Sequence, residues 1–185
     1  MNENIISALN EHSKALDKID KNKISLAAEL VKKSLKSGKN IFWCGNGGSA
    51  SQANHLSAEL IGGMYKDKKA PFKSICLNVD TAFISAWSND DSFDNIFLRQ
   101  LEALAQPGDV LIALSTSGNS KNVINAAKYC KHNDVKIVSL TGFDGGFLKD
   151  NSDLNINIAI NCTQRVQEMR ILVGHIICDI IEKDL

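Results

Sequence analysis

Apolar residues follow two alternating spacings along the chain, and this alternation predicts an α/β fold. Five short apolar runs have the length of buried strands, at 40–44, 72–77, 109–114, 135–140 and 154–160. Helical spacing separates these runs, first in a segment ending near 61 and then at 81–87, 93–105 and 121–132. Strands that alternate with helices are typical of a doubly wound parallel sheet flanked by helices, which binds ligands beyond the carboxyl ends of its strands.

Three more helices are predicted outside the sheet, over about 5–19, 26–35 and 163–182. The last one is apolar on nearly every side, which predicts burial all round. In a chain of 185 residues, we expect other copies of the chain to cover this helix and the N-terminal pair, in an oligomeric helical core. We expect one domain, 1–185, made of an N-terminal helical segment and an α/β core with its C-terminal helix, 1–38 and 39–185.

Charge and composition exclude several classes of partner. Lys plus Arg equals Asp plus Glu at 21 each, so no surplus charge would attract nucleic acid or a membrane surface. Five cysteines without CxxC spacing predict reduced thiols. No signal peptide and no run of ~20 apolar residues is present, which predicts a soluble cytoplasmic protein. The charged run 66–69 is expected to be a solvated loop.

A glycine-rich turn follows the first strand and opens into a helix. Gly45, Gly47 and Gly48 permit close approach to a small ligand, and Ser49 or Ser51 is expected to cap the helix. In that helix, His55 and Glu59 lie four residues apart and share one face. A pair of this kind serves either as part of a ligand site or as a solvated surface contact.

A second polar turn, Ser115-Thr116-Ser117-Gly118-Asn119-Ser120, follows the clearest buried strand and also opens a helix. Its hydroxyls and free amide groups can converge on one phosphate without any Lys or Arg. An ordinary helix-capping turn is the alternative, although a cap needs only one such hydroxyl. The chain carries neither a Walker sequence nor a Rossmann GxGxxG.

Four segments resemble the sugar isomerase (SIS) domain family: CGNGGSASQANHLSAEL, LIALSTSGNS, LTGFDGG, and RVQEM with a later His. Within that family they are similar to the phosphoheptose isomerases, which convert D-sedoheptulose 7-phosphate to D-glycero-D-manno-heptose 7-phosphate. The resemblance implies a zinc ion, a homotetramer and active sites between subunits. It also implies a role in supplying heptose to a bacterial surface polysaccharide, either lipopolysaccharide or capsule.

The resemblance also implies roles for individual residues. The phosphate is expected to be held by Ser115, Thr116, Ser117 and Ser120. The sugar is expected to be surrounded by Asn46, Gly47, Gly48, Asn89, Asp90 and Gln167. The zinc-ligand positions match His55, Glu59, Gln167 and His175.

Aldose–ketose isomerisation needs one general base and one general acid, provided that an enediol is stabilised. Glu59 and His175 have suitable chemistry for these roles, and a zinc ion would polarise the carbonyl. Gln is an uncommon zinc ligand, so Gln167 is also a candidate for binding substrate instead. His175 lies in an apolar helix, where a lone His is otherwise a satisfied core residue.

The spacing of Gln167 and His175 limits how they can act together. Eight residues of helix separate them by ~12 Å and about 80°. We therefore expect Gln167 and His175 of one site to come from different chains, or only one of them to bind the metal at a time. Gly174 predicts close packing beside His175.

Three positions depart from the family pattern: Gln164 in place of an acidic residue, Arg170 in place of a His, and Phe143 in place of a Lys. Two other functions remain open, a non-catalytic SIS protein that binds a replication initiator and a sugar-phosphate sensor. The presence of His175 with His55 and Glu59 favours the enzyme. His12 is expected to be a solvated surface residue, and His132 to interact with the end of its helix.

Overall fold

A five-stranded parallel sheet forms the centre of the protein, in a computed structural model that describes residues 2–65 and 70–185. The strands are β1 (Ile41–Gly45), β2 (Ser74–Cys76), β3 (Val110–Ser115), β4 (Lys136–Gly142) and β5 (Leu154–Ile158). Their order is β2-β1-β3-β4-β5, and every neighbouring pair is parallel. The predicted α/β class and parallel sheet are confirmed.

Eight helices and one 3₁₀ turn surround the sheet in the described part of the chain. The helices are α1 (Glu3–Leu16), α2 (Lys21–Lys36), α3 (Gly48–Gly62), α4 (Thr81–Asp90), α5 (Ile96–Leu104), α6 (Lys121–His132), α7 (Gly146–Asp150) and α8 (Thr163–Asp184). The 3₁₀ turn, Phe93–Asn95, precedes α5. None of the helices within 2–65 and 70–185 combines the length and the apolar character that a membrane span requires.

Alternating side chains of the strands divide the core into two layers. In β1, Ile41 and Trp43 pack with α2, α3 and α8, whereas Phe42 and Cys44 pack with α5 and α6. All four of these side chains are buried. A sheet covered on both faces explains why its strands are continuous apolar runs.

The strand order places β1 and β3 side by side at the centre of the sheet, where the direction of winding reverses. The carboxyl ends of neighbouring parallel strands at such a switch point frame the usual ligand crevice. The glycine-rich turn at 45–48, which we call the glycine turn, follows β1. The polar turn at 115–120, which we call the serine turn, follows β3. The fold therefore brings the two turns together, as the sequence predicts.

Several element boundaries differ from the prediction. The helix predicted over 81–87 is longer in the structure, since α4 continues through Asp90 with helical hydrogen bonding, and Asp91 N–H donates to Trp87 O. The short α7 was not predicted, since five residues carry too little helical periodicity. The charged run 66–69 lies outside the described residues.

The helix α8 is buried on one side in the single chain and exposed on another. Val173 and Ile177 are buried, whereas Leu172 is 36% exposed. On α1 and α2, Leu9 and Leu26 are 66% and 58% exposed. Burial of α8 all round would require another chain, and it stays a prediction.

Two histidines that lie outside the sheet crevice, His12 and His132, each contact a polar atom of another residue. His12 Nδ1 lies 2.7 Å from Glu168 Oε2 on α8, so His12 is not simply solvated as expected. No local sequence pattern indicates this contact, because it joins residues 156 positions apart. His132 Nδ1 lies 2.6 Å from Lys128 O in the last turn of α6, and the predicted interaction with the helix end is confirmed.

Candidate active site

The glycine turn after β1 is held in shape by two asparagines that the sequence reading missed. Asn122 and Asn46 exchange two side-chain hydrogen bonds, each 2.8 Å long. Asn78 accepts from Gly45 N–H at 3.2 Å and donates to Gly45 O at 2.8 Å. Both partners are distant in sequence, so no local pattern could have identified them. They fix the backbone at the mouth of the crevice.

The helix α3 begins differently from the prediction. Neither Ser49 nor Ser51 caps it, because the N-cap residue is Gly47, whose φ of +54° lies in the left-handed region that favours glycine. No side chain supplies a capping hydrogen bond at Gly47. Ser49 instead lies in the first turn, where its hydroxyl accepts a 2.9 Å hydrogen bond from Arg170 Nη2. The N–H groups of Ser49 and Ala50 donate to Asn46 O at 2.9 Å and Gly47 O at 3.0 Å, so the turn backbone satisfies these two amide groups. The start of α3 can still favour an anion through its partial positive charge.

The serine turn and the glycine turn enclose a cavity of about 310 Å³, which we call the serine cavity. Its lining consists of Asn46, Ser49, Leu114, Ser115, Thr116, Ser117, Ser120, Phe143, Thr163 and Gln167. Ser115 Oγ and Ser120 Oγ lie 3.1 Å apart, and Ser117 Oγ accepts from Asn119 N–H at 3.1 Å. Ser120 is the N-cap of α6 without a side-chain capping bond, so its hydroxyl remains available. The structure brings together all four residues expected to hold phosphate.

Gln167 lies in the serine cavity, at the first turns of α8. A Cβ atom at Gly48 would be only 3.3 Å from Gln167 Nε2, so the glycine allows the carboxamide to approach the turn closely. Gln52 Nε2 also donates to Gln167 O at 2.7 Å, which ties α3 to α8. Gln167 was expected either to bind zinc or to bind substrate, and its place in the serine cavity fits substrate binding.

His55, Glu59 and His175 form a second group, which we call the His–Glu–His cluster. One ligand atom from each lies within 4.8 Å of the others. His55 Nε2 is 3.3 Å from Glu59 Oε1 and 2.8 Å from His175 Nε2. The His55 side chain is 49% exposed and that of Glu59 22%, so the cluster is open to its surroundings. His175 is therefore not an isolated core residue.

Close packing of α8 on α3 brings His175 to His55. A Cβ atom at Gly174 would lie 2.3 Å from Leu56 Cδ1, so only glycine allows the two helices to approach this closely. Leu56 follows His55, and His175 follows Gly174. The close packing expected beside His175 is confirmed, and its effect is to align the two imidazoles.

The donor atoms of the His–Glu–His cluster fit a zinc ion. Imidazole nitrogen and carboxylate oxygen are usual zinc ligands, and catalytic zinc keeps three protein ligands and one open position. The three donor atoms already converge within one chain. Gln167 lies two turns earlier on α8, against Gly48. That it and His175 do not act on one ion from the same helix stays a prediction.

Asn89 and Asp90 lie at the end of α4 and do not line the serine cavity. Both residues are exposed, and Asn89 Nδ2 donates to Asp90 Oδ1 at 2.8 Å. The structure of the single chain therefore does not bring them to the remaining substrate residues. Their role in binding the sugar stays a prediction.

The three departures from the family pattern have different surroundings. Phe143 lines the serine cavity, where its backbone has a φ of +53°. Gln164 is exposed and accepts a hydrogen bond from Cys162 Sγ. Arg170 is fully buried beside Ser49. Two of the departures thus contact the cavity or its wall.

A larger cavity, about 700 Å³, lies at the opposite end of the strands. It is lined by Glu29, Leu30, Lys33, Ser34, Ser37, Lys39, Gly108, Lys136 and Asp153. Lys136 Nζ is bound to Asp153 Oδ1 at 2.9 Å. Parallel α/β sheets bind ligands at the carboxyl edge, so the smaller serine cavity is the better candidate for the active site.

Known proteins resemble this chain over most of its length. The SIS domain model matches residues 6–142. The phosphoheptose isomerase of Campylobacter concisus is 45% identical, over 86% of this chain and 84% of that protein. The one from a Nitratiruptor species is 42% identical over 99% of both chains. The chain belongs to the phosphoheptose isomerases of the SIS domain family.

Structural comparison agrees with this assignment. The phosphoheptose isomerase GmhA from Neisseria gonorrhoeae aligns with a TM-score of 0.89 and 38% identity, covering 98% of each chain. The family and the aldose–ketose isomerase activity expected from the sequence are confirmed by these relatives. They favour the enzyme over the non-catalytic and sensor alternatives.

Proposed function

We propose that this phosphoheptose isomerase converts D-sedoheptulose 7-phosphate to D-glycero-D-manno-heptose 7-phosphate through an enediol. One observation carries the proposal: a single helix, α3, borders the serine cavity at its start and bears His55 and Glu59 further along. A group that suits a phosphate and a group that suits proton transfer are therefore held on one rigid element.

The serine cavity is the proposed phosphate site. Its hydroxyls from Ser115, Thr116, Ser117 and Ser120 surround a space at the start of both α3 and α6. The partial positive charge of a helix N-terminus favours an anion, and serine hydroxyls add donors without a cation. Asn46 and Gln167 would then contact the sugar next to the phosphate.

Glu59 and His175 are the proposed base and acid. The ionised Glu59 carboxylate is an acceptor, which suits removal of the proton from the carbon beside the carbonyl. The His175 imidazole can carry a proton at the ring nitrogen that is not bound to a metal, which suits transfer between the two substrate oxygens. His55 Nε2 contacts both groups, at 3.3 Å and 2.8 Å, and so fixes their separation.

We also propose one zinc ion per subunit, held by His55, Glu59 and His175. The convergence of these donor atoms in one chain supports the proposal. When bound, zinc supplies Lewis-acid polarisation of the carbonyl and favours the charge of the enediolate. Gln167 is the fourth ligand that the family resemblance implies, and it would have to come from a neighbouring chain.

A homotetramer with active sites between subunits completes the proposal. Exposed apolar residues on α1 and α2, such as Ile5, Leu9 and Leu26, would be covered by other copies. The separation of Gln167 from the His–Glu–His cluster along α8 also supports shared sites. We place the enzyme in the cytoplasm, where it would supply heptose to lipopolysaccharide or capsule.

Turnover of sedoheptulose 7-phosphate by purified protein tests the proposal, measured before and after a chelator and again with zinc restored. We expect turnover that the chelator removes and zinc restores. Turnover that the chelator does not change would support the isomerase reaction and contradict the proposed role of zinc. No turnover with zinc present would reject the proposed reaction and favour the non-catalytic SIS protein.

A further inference from the structure

Arg170 is a buried charged residue that has no ionic partner within residues 2–65 and 70–185. It lies on α8 with 0% of its surface exposed. Its Nη2 donates to Ser49 Oγ at 2.9 Å, whereas Nε and Nη1 have no hydrogen-bond partner among the described residues. Buried charges in proteins are normally paired with an opposite charge or fully hydrogen-bonded. Arg170 satisfies neither condition.

The guanidinium nevertheless stays charged at neutral pH. Burial lowers the pKa of Arg170 from its ordinary value to about 10, which is still well above 7. A charge that is costly to bury is retained most readily where a ligand of opposite sign is bound nearby. The surroundings of Arg170 therefore indicate an anion.

The serine cavity is the place where this anion would lie. Ser49, the partner of Arg170, lines that cavity and belongs to the first turn of α3. The start of a helix carries partial positive charge, so Arg170 and α3 both favour an anion on the same side. The cavity lining within the described residues contains no Lys or Arg. Arg170 lies behind this lining, where it binds Ser49, and so supplies a positive charge next to the cavity.

We propose that Arg170 is a positioning residue that makes the serine cavity selective for phosphate monoesters over uncharged sugars. Arg170 donates to Ser49 Oγ and so leaves the Ser49 hydroxyl hydrogen to donate into the cavity. Its positive charge also attracts the phosphate electrostatically across the residues that line the cavity. The inference rests on the proposed phosphate role of the cavity. With a pKa of about 10, Arg170 keeps this charge at every physiological pH.

Arg170→Met and Arg170→Lys test the charge, with inorganic phosphate as the probe. For Arg170→Met we expect the Kd for phosphate and the KM for sedoheptulose 7-phosphate to rise about tenfold or more, with kcat nearly unchanged. Arg170→Lys should recover part of the affinity, since it retains the charge. Arg165→Met is the matched control, because Arg165 lies on the same helix but binds Ala8 O and Glu168.

Ser49→Ala tests the same link while leaving the buried charge in place. It should weaken phosphate binding about fivefold to tenfold, and together with Arg170→Met it should cost less than the sum of both. Ser57→Ala is its control, since Ser57 is buried on α3 but contacts Ser74. Unchanged phosphate affinity in folded Arg170→Met, or in Ser49→Ala, would overturn the proposal.

Phosphate binding separates this inference from the proposed reaction. A wild-type protein that binds phosphate through Arg170 but does not convert the sugar would support the inference and contradict the reaction. A protein that converts the sugar while its Arg170→Met variant keeps the wild-type Kd and KM would do the opposite.

Discussion

The serine cavity and the His–Glu–His cluster are built in different ways. The cavity is a concave space at the carboxyl edge of the sheet, and most of its hydroxyls come from the one stretch 115–120. The cluster joins side chains from two helices, 120 residues apart between His55 and His175, and it is half exposed. Within the single chain the cavity is thus a formed pocket, whereas the cluster is partly exposed.

The different surroundings imply different effects on the kinetics. Loss of a hydroxyl in the cavity removes a contact made equally to substrate and transition state, and so acts on KM. Loss of a group in the cluster removes proton transfer, and so acts on kcat. Variants of the two regions should therefore separate these constants.

Glu59→Gln has the largest expected effect. The amide cannot accept the carbon-bound proton, so kcat should fall about 10³-fold while phosphate affinity stays at the wild-type value. Steady-state kinetics and phosphate titration on the folded protein measure both. Glu102→Gln is the control, because Glu102 is exposed and only pairs with Arg99. A kcat within tenfold of the wild type would exclude Glu59 as the base.

Ser115→Ala acts on the cavity. Ser115 Oγ lies 3.1 Å from Ser120 Oγ, and its removal takes one donor from the phosphate, so KM should rise about tenfold with little change in kcat. Ser85→Ala serves as the control, since its hydroxyl donates to Ala82 O on the exposed α4. An unchanged KM would show that the phosphate binds elsewhere.

Gly174→Ala disturbs the packing that aligns the cluster. The added methyl group would clash with Leu56, so the free energy of unfolding should fall by ~1–3 kcal/mol and kcat should drop with it. Urea unfolding and turnover measure the two effects. Adding Leu56→Val, which shortens the clashing side chain, should recover part of the stability. A Gly174→Ala protein with wild-type stability would contradict the close approach of α8 to α3 at this position.

His12→Ala has the smallest expected effect. His12 and Glu168 are 41% and 36% exposed at the side chain, and such ion pairs contribute less than ~1 kcal/mol to stability. Thermal unfolding should shift little, and turnover should not change. A kcat reduced tenfold would instead extend the active site to the contact between α1 and α8.

Contiguous patterns made most of the site predictable. The strand–turn–helix segments around Gly47 and Ser117 each lie within one stretch of sequence, so their strands, turns and helices follow from local spacing. The parallel sheet then brings both turns to one edge, which a general rule predicts. The family and the isomerase activity were predicted from the same segments.

Contacts between distant residues account for what the sequence did not reveal. Asn78 and Asn122 clamp the glycine turn through partners 33 and 76 positions away. In the sequence, Arg170 is recognised only as a departure from the family pattern, and the fold is what brings it to Ser49. The capping role expected for Ser49 was wrong because Gly47 already ends the turn in a conformation that needs no side chain.

Mixed oligomers test most directly whether Gln167 and His175 of one active site come from different chains. Gln167→Ala and His175→Ala proteins, each inactive alone, are unfolded together, refolded and verified by native mass spectrometry to contain both chains. With Gln167 and His175 drawn from different subunits, about a quarter of the sites regain both residues, and turnover should recover in proportion. No recovery in verified mixtures would contradict the shared site.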